Sequence, residues 1–236
     1  VLQAGPETWP YQRPQIELDV EDMVRVVQSR AGAGSADLLK SSSPTLTALG
    51  RLTKSLNDEA KLNHLGRAMM RRYLHQRLEA RVQLADERSK NPAINQEEIR
   101  RPVFIVGLNR TGTTLLHRLL ACDTAAFAAP RTFEMMCPVD TSQDADRYAR
   151  PPSSDPRYIE TQLAVEMAKE TVAQFESIHP TAAHLPEEEF FFFEGAFLSH
   201  SFAVMADAPS MRKWLDDPST KTQTHMAYLE HCERLQ

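Results

Sequence analysis

Six residues suited to binding an anion fall within the stretch GLNRTGTT: Gly107, Arg110, Thr111, Gly112, Thr113 and Thr114. Glycines at both ends of the turn let successive backbone N–H groups face one point, and the threonine hydroxyls add donors. Gly107 and Gly112 have the spacing of a nucleotide-binding P-loop. Thr114 stands where such a loop places its magnesium-binding hydroxyl, yet Thr113 occupies the position of the lysine. In loops that bind ATP or GTP, that lysine reaches the β and γ phosphates. Here the positive charge lies inside the loop, at Arg110, whose planar fork suits an oxyanion. These residues predict a nucleotide with a short 5' anhydride and no need for a metal ion.

A loop of this kind needs a strand before it and a helix after it. The run PVFIVG at 102–107 is apolar, β-branched and closed by glycine, which predicts a buried strand of a parallel sheet. Beyond the loop, Leu115, Leu116, Leu119 and Leu120 recur at helical spacing. Strand, loop and helix form the first unit of an α/β domain. AAFAAP at 125–130 predicts a second strand, and RTFEMMCP at 131–138 a loop entering a short helix. Residues 141–156 read as an irregular surface excursion, and 157–178 as a helix ended by His179-Pro180. LPEEEFFFFEGAF at 185–197 predicts a buried helix with acids in its first turn, and 211–215 and 220–236 predict further helix.

Upstream, 1–16 reads as an extended arm and 18–30 as a helix with Asp19 as its cap. AGAGS then breaks the chain, and 44–90 forms two helices divided near Asn57 and Asp58. The expected organisation is a helical extension over 1–95 and an α/β domain over 96–236. The extension is expected to pack on the main domain, and it is the surface available for a homo-oligomer.

Composition narrows the function classes. A chain of 236 residues, 42% hydrophobic and 25% charged, can bury a globular core. Its net charge of -5 argues against a nucleic-acid partner, which would need a clustered basic surface. No apolar run reaches the roughly 18 residues of a transmembrane helix. Cys122, Cys137 and Cys232 are odd in number and widely spaced, so neither a zinc site nor a disulfide framework is indicated, and a reducing, cytoplasmic setting is expected. The chain starts at Val1 and reaches Gln236 inside a helical pattern, which suggests a fragment or a processed chain.

PVFIVGLNRTGTTLLHRLLA resembles the 5'-phosphosulfate loop of sulfotransferases that use 3'-phosphoadenosine 5'-phosphosulfate (PAPS). Arg110, Thr111, Gly112, Thr113 and Thr114 match that loop position by position. PRTFEMMCP and HPTAAHLPEEE resemble further elements of a bacterial branch of the same superfamily. The resemblance implies an α/β fold with a P-loop NTPase-like parallel sheet flanked by helices. It implies PAPS as co-substrate without a metal, a cofactor-binding stretch of Asn109, Arg110, Thr111, Gly112, Thr113, Thr114 and Leu115, and a small-molecule, lipid or sugar hydroxyl as acceptor. It also implies a second element for the 3' phosphate, an Arg and a Ser on a later strand and helix, which these residues do not supply.

Sulfuryl transfer to a hydroxyl needs a cation near the leaving oxygen and a base near the acceptor. Arg110 is the candidate for the first role. For the base, His179 precedes a proline at a helix end, where the dipole favours imidazolium and keeps its pKa near neutrality. Glu188 is the second candidate, through burial at the edge of an apolar helix. At least one of Glu187, Glu188 and Glu189 is expected only to complement the helix dipole. His184 and His200 read as structural or acceptor-lining, and Arg131 as either a site residue or a salt-bridge partner. Two other readings stay open: a small-molecule kinase whose lysine has been replaced, and a non-catalytic phosphate-binding module.

Overall fold

The computed structural model describes residues 15–98, 100–108, 110–142, 151–171, 179–223 and 226. Packing divides them into two compact units. One holds the described residues of Val1–Pro92 and Phe192–Leu229, and the other those of Ala93–Phe191.

The first unit is helical. Helix α1 (Val20–Gln28) starts at Asp19, whose carboxylate accepts the N–H of Glu21 at 2.9 Å. Helix α2 (Pro44–Asp58) starts at Ser43, with Pro44 in the first turn, where its missing N–H costs nothing. Helix α3 (His64–Lys90) starts at Asn63, whose side chain accepts the N–H of Gly66 at 2.7 Å. The division expected near Asn57 and Asp58 is present, and Asn57 also ties the entering arm down. Its side chain accepts from Leu18 N–H at 3.3 Å and from Arg67 Nη1 at 2.9 Å, and donates to Leu18 O at 3.1 Å. The leucines that recur at helical spacing, Leu49, Leu52, Leu56, Leu74 and Leu78, are fully buried. Phe197, Phe202, Met211 and Leu215 join the same core from the end of the chain. The last two belong to α9 (Pro209–Leu215), and Phe202 to α8 (Ser201–Met205).

The short 3-10 turn Ala33–Ser35 packs on α3 through its glycines. Asp86 accepts the N–H groups of Gly32 and Ser35 at 2.6 and 2.8 Å, and a Cβ at Gly34 would lie 2.6 Å from Ser89 Cβ and 2.7 Å from Ala85 O. Deeper in the unit, Glu194 of α7 (Phe190–Gly195) has no exposure. It accepts the hydroxyls of Tyr73 and, at 2.5 Å, Ser201.

The second unit carries α4 (Thr113–Ala121), α5 (Thr132–Met136) and α6 (Pro156–Thr171). The strands expected at 102–107 and 125–130 are not seen among the described residues. Among the described residues there is no strand, and an isolated antiparallel bridge joins Arg131 and Pro186. A parallel strand takes its hydrogen bonds from neighbouring strands, and no such ladder reaches the run at 102–107 among the described residues. Val106 is accordingly 92% exposed, and the leucine face of α4 is exposed with it. The helix expected over 185–197 shortens to α7, because 185–187 is drawn into backbone bonding with 130–133. Glu187 and Glu188 therefore precede the helix, and its first turn holds no acid. The end of the helix expected to reach 178, and the helix expected from Thr220 onward beyond its first residues, lie outside the described residues.

Two stability measurements follow from this packing. Gly34→Ala forces α3 and the turn apart and is expected to cost about 1–3 kcal/mol in chemical unfolding, as overpacked sites do. Burial raises the Glu194 carboxyl above its ordinary value of 4.5, against the opposing pull of Arg77, Ser201 and Tyr73. The folded chain thus keeps this proton to higher pH than the unfolded chain. Its contribution is complete below the unfolded value and is lost as pH rises through the folded one. Glu194→Gln is expected to flatten that decline, measured as the urea midpoint against pH.

Candidate functional site

The anion loop is built by two left-handed residues. Arg110 lies at φ 69° and Gly112 at φ 90°. The second conformation favours glycine, and the first costs a non-glycine residue about 1–3 kcal/mol, a strain that functional loops commonly carry. Gly107 is needed for space rather than for its torsion. A Cβ there would lie 2.8 Å from Thr113 Cγ2 and 2.9 Å from Thr111 Oγ1. Thr111 closes the turn by donating to Leu108 O at 2.6 Å. Helix α4 then begins with Gly112 as its N-cap and no side chain capping it, so its first N–H groups and the positive end of its dipole face the loop. Arg110 and Thr111 are exposed, and Thr113 and Thr114 half-buried. Leu115 is exposed on α4, and Asn109 lies outside the described residues.

The acid–base residues are placed by a different device. Thr132 N–H donates to Leu185 O at 3.0 Å, Phe133 N–H to Ala183 O at 3.1 Å, and Glu187 N–H to Pro130 O at 3.3 Å. Extended backbone alternates its side chains, and neighbours here differ accordingly: the Glu187 side chain has no exposure, while Glu188 is exposed. His179 Nε2 lies 2.8 Å from Glu187 Oε2, within hydrogen-bonding distance, and Glu188 N–H donates to Glu187 Oε1 at 3.0 Å. Thr181 braces the segment, donating to the His179 carbonyl at 3.1 Å.

The hydrogen bond from Glu187 holds the His179 imidazole above its ordinary pKa. Partial burial opposes this, the charges of Glu187 and Glu188 add to it, and Arg118 pulls the other way. The ligand atoms of His179, Glu187 and Glu188 lie within 4.8 Å of one another, a spacing a divalent cation can span. Ring nitrogen and carboxylate already face each other as donor and acceptor, however, so the arrangement is that of an acid–base pair.

Loop and pair meet along α4. Thr114 Oγ1 lies 3.5 Å from Glu188 Oε1, and Arg118 Nη2 donates to Pro180 O at 2.6 Å. Thus the structure brings Thr114 together with Glu188, and His179 with Glu187. The burial anticipated for Glu188 is found one residue earlier. Arg118 and Thr181 had no signal in the sequence, since Arg118 acts across 62 residues of chain. Arg131 is held in its own turn, with Nη2 at 2.5 Å and Nε at 3.0 Å from the Glu134 carboxylate. His184 is exposed, its ring 6.3 Å from that of Tyr158. His200, exposed in the helical unit, lies 3.8 Å from Asp216 Oδ1.

The sulfotransferase family matches residues 102–235, from the start of the run before the loop to nearly the last residue. A solved sulfotransferase of Mycobacterium tuberculosis is similar at 23% identity with a TM-score of 0.72, over 94% of this chain and 58% of its own. One of Mycobacterium avium is similar at 19% identity with a TM-score of 0.73, over 96% and 55%. No curated protein matches the sequence. The chain spans little more than half the length of the two solved proteins, and at these identities the likeness shows the fold. Since the family match covers more than half of its residues, the chain belongs to the sulfotransferase family.

Proposed function

We propose that this chain carries the donor loop and the base of an enzyme that moves a sulfuryl group from PAPS to a hydroxyl of a small-molecule, lipid or carbohydrate acceptor. The observation that carries the reading is the meeting of two chemistries on one helix. The uncapped start of α4 forms an anion site, and Thr114 in its first turn lies 3.5 Å from Glu188 of the acid–base cluster. Residues 109–115 fit a phosphosulfate because the only large charge within the loop is Arg110, and because the space at Gly107 that a Cβ would fill lies against the threonines.

Bound there, the donor supplies the sulfuryl group and a phosphate leaving group. Arg110 and the first N–H groups of α4 hold the negative charge that builds on the leaving oxygen. His179, with Glu188 as second candidate, takes the proton of the acceptor hydroxyl. A guanidinium and a helix terminus supply the positive charge, so the reading needs no metal ion. In the whole enzyme 102–107 serves as a strand of a parallel sheet, the 3' phosphate is held by residues outside the loop, and the setting is cytoplasmic.

Calorimetry with adenosine 3',5'-bisphosphate tests the donor assignment. Binding is expected without magnesium and is weakened in Arg110→Ala by roughly ten- to a hundredfold, the effect of losing a charged hydrogen bond worth about 1.5–3 kcal/mol. Magnesium-dependent binding of ATP instead would favour a kinase, and no binding of either by the folded chain would leave a non-catalytic phosphate module. Gly107→Ala is expected to weaken the same binding about tenfold, since the added methyl must displace Thr111 and Thr113. The melting of the helical unit should not change with it.

A further inference from the structure

We propose that Glu187 is a positioning residue: by accepting the Nε2 proton of His179 it fixes the ring's tautomer and leaves Nδ1 as the atom that takes the acceptor's proton. The inference rests on the sulfuryl-transfer reading above and assigns the base within it.

The geometry gives Glu187 nothing else to do. Its side chain has no exposure, so its charge must be met inside the protein. Its two oxygens divide the work. Oε2 accepts from His179 Nε2 at 2.8 Å, with Thr181 Oγ1 at 3.4 Å, and Oε1 accepts the Glu188 N–H at 3.0 Å. A neutral imidazole has one N–H, and a buried carboxylate at Nε2 claims it, so the lone pair of the neutral ring is at Nδ1. The carbonyl of His179 itself accepts from Thr181, and that of Pro180 from Arg118, so the backbone at and just after the ring's residue is held at two points. Glu188 is exposed and lacks such a partner arrangement, which makes His179 the base and leaves Glu188 to the Thr114 side of the cluster.

In the step itself the acceptor O–H bond breaks as its proton passes to Nδ1. The acceptor oxygen forms a bond to sulfur, and the sulfur–oxygen bond to the phosphate breaks with its electron pair leaving on the phosphate. The Nε2 proton stays on the ring throughout, donated to Glu187, whose carboxylate stabilises the imidazolium that results.

The charged groups that face the ring are Glu187, Glu188 and Arg118. Imidazole nitrogen NMR of His179 reads the pair directly. In the unaltered chain the neutral ring is expected as the Nε2–H tautomer, titrating above 6.5. In Glu187→Gln the midpoint should fall toward 6.5, and Glu187→Asp should restore part of the shift. A tautomer and midpoint that stay unchanged in a folded Glu187→Gln chain would overturn the pairing, whatever the protein's activity.

The second measurement is transfer from PAPS to a simple phenol, 4-nitrophenol, against pH. The acidic limb of the rate should follow the His179 midpoint, moving to lower pH in Glu187→Gln while the maximal rate drops by about a hundredfold or more. An unmoved limb would overturn the role of His179 as base. Loss of bisphosphate binding in Arg110→Ala is independent of all these outcomes, so a failed donor assignment and a failed pair are told apart.

Discussion

A carboxylate without access to water must be neutralised or bonded on every side, and Glu187 is such a carboxylate. The candidate site is arranged around that requirement. The bond to Pro130 fixes its backbone, the ring of His179 supplies a cationic or polar partner, and the N–H of Glu188 fills the second oxygen. Removing any one of these leaves a buried charge short of a donor, a larger penalty than the net worth of a surface hydrogen bond. These bonds tie down a segment, 179–188, that has neither helix nor strand. Order here comes from charge satisfaction rather than from periodic structure.

The anion loop depends on the opposite arrangement. Its helix start is left without a side-chain acceptor: the N-cap of α4 is Gly112, and no side chain caps the helix. Arg110 adds charge from a left-handed backbone position that costs energy in the absence of a ligand. A bound oxyanion supplies the acceptors that the helix start lacks. On the proposed reading, the half around Glu187 is complete in itself and the loop is finished by the donor, which suits a base that must keep one protonation geometry and a donor site that must bind and release.

The helices were legible in the sequence because their evidence is local. Asp19, Ser43 and Asn63 cap the three N-terminal helices, and the leucine spacing of 44–90 became the core. The loop was legible for the same reason, since two glycines, an arginine and three threonines act within a few residues. The run at 102–107 is a weaker local guide, because a strand exists only through a ladder to other strands. Its apolar β-branched composition describes the environment the segment requires and not a conformation it can adopt alone. Glu187 and Glu188 stand before the helix for a related cause: the bonds between 130–133 and 183–187 take the place of a first helical turn there, and nothing in the local pattern announces them. Glu187 stood in plain view among three acids, but only the fold separates the buried one from its exposed neighbour.

Helix α4 joins the two halves in a way that spacing explains. Thr114 and Arg118 are four residues apart and therefore lie on one face of the helix, as do Leu115 and Leu119 on the adjacent one. The first face makes both contacts to the acid–base segment, through Glu188 and the Pro180 carbonyl, while the second is exposed. The same helix turns its N-terminus to the anion loop. Any displacement of α4 on filling the loop is therefore transmitted through Arg118 to the backbone next to His179, within about one and a half turns of rigid helix. On the proposed reading, charge recognition and proton acceptance share one mechanical element, and the alignment of the base is tied to the position of the donor rather than adjusted independently of it.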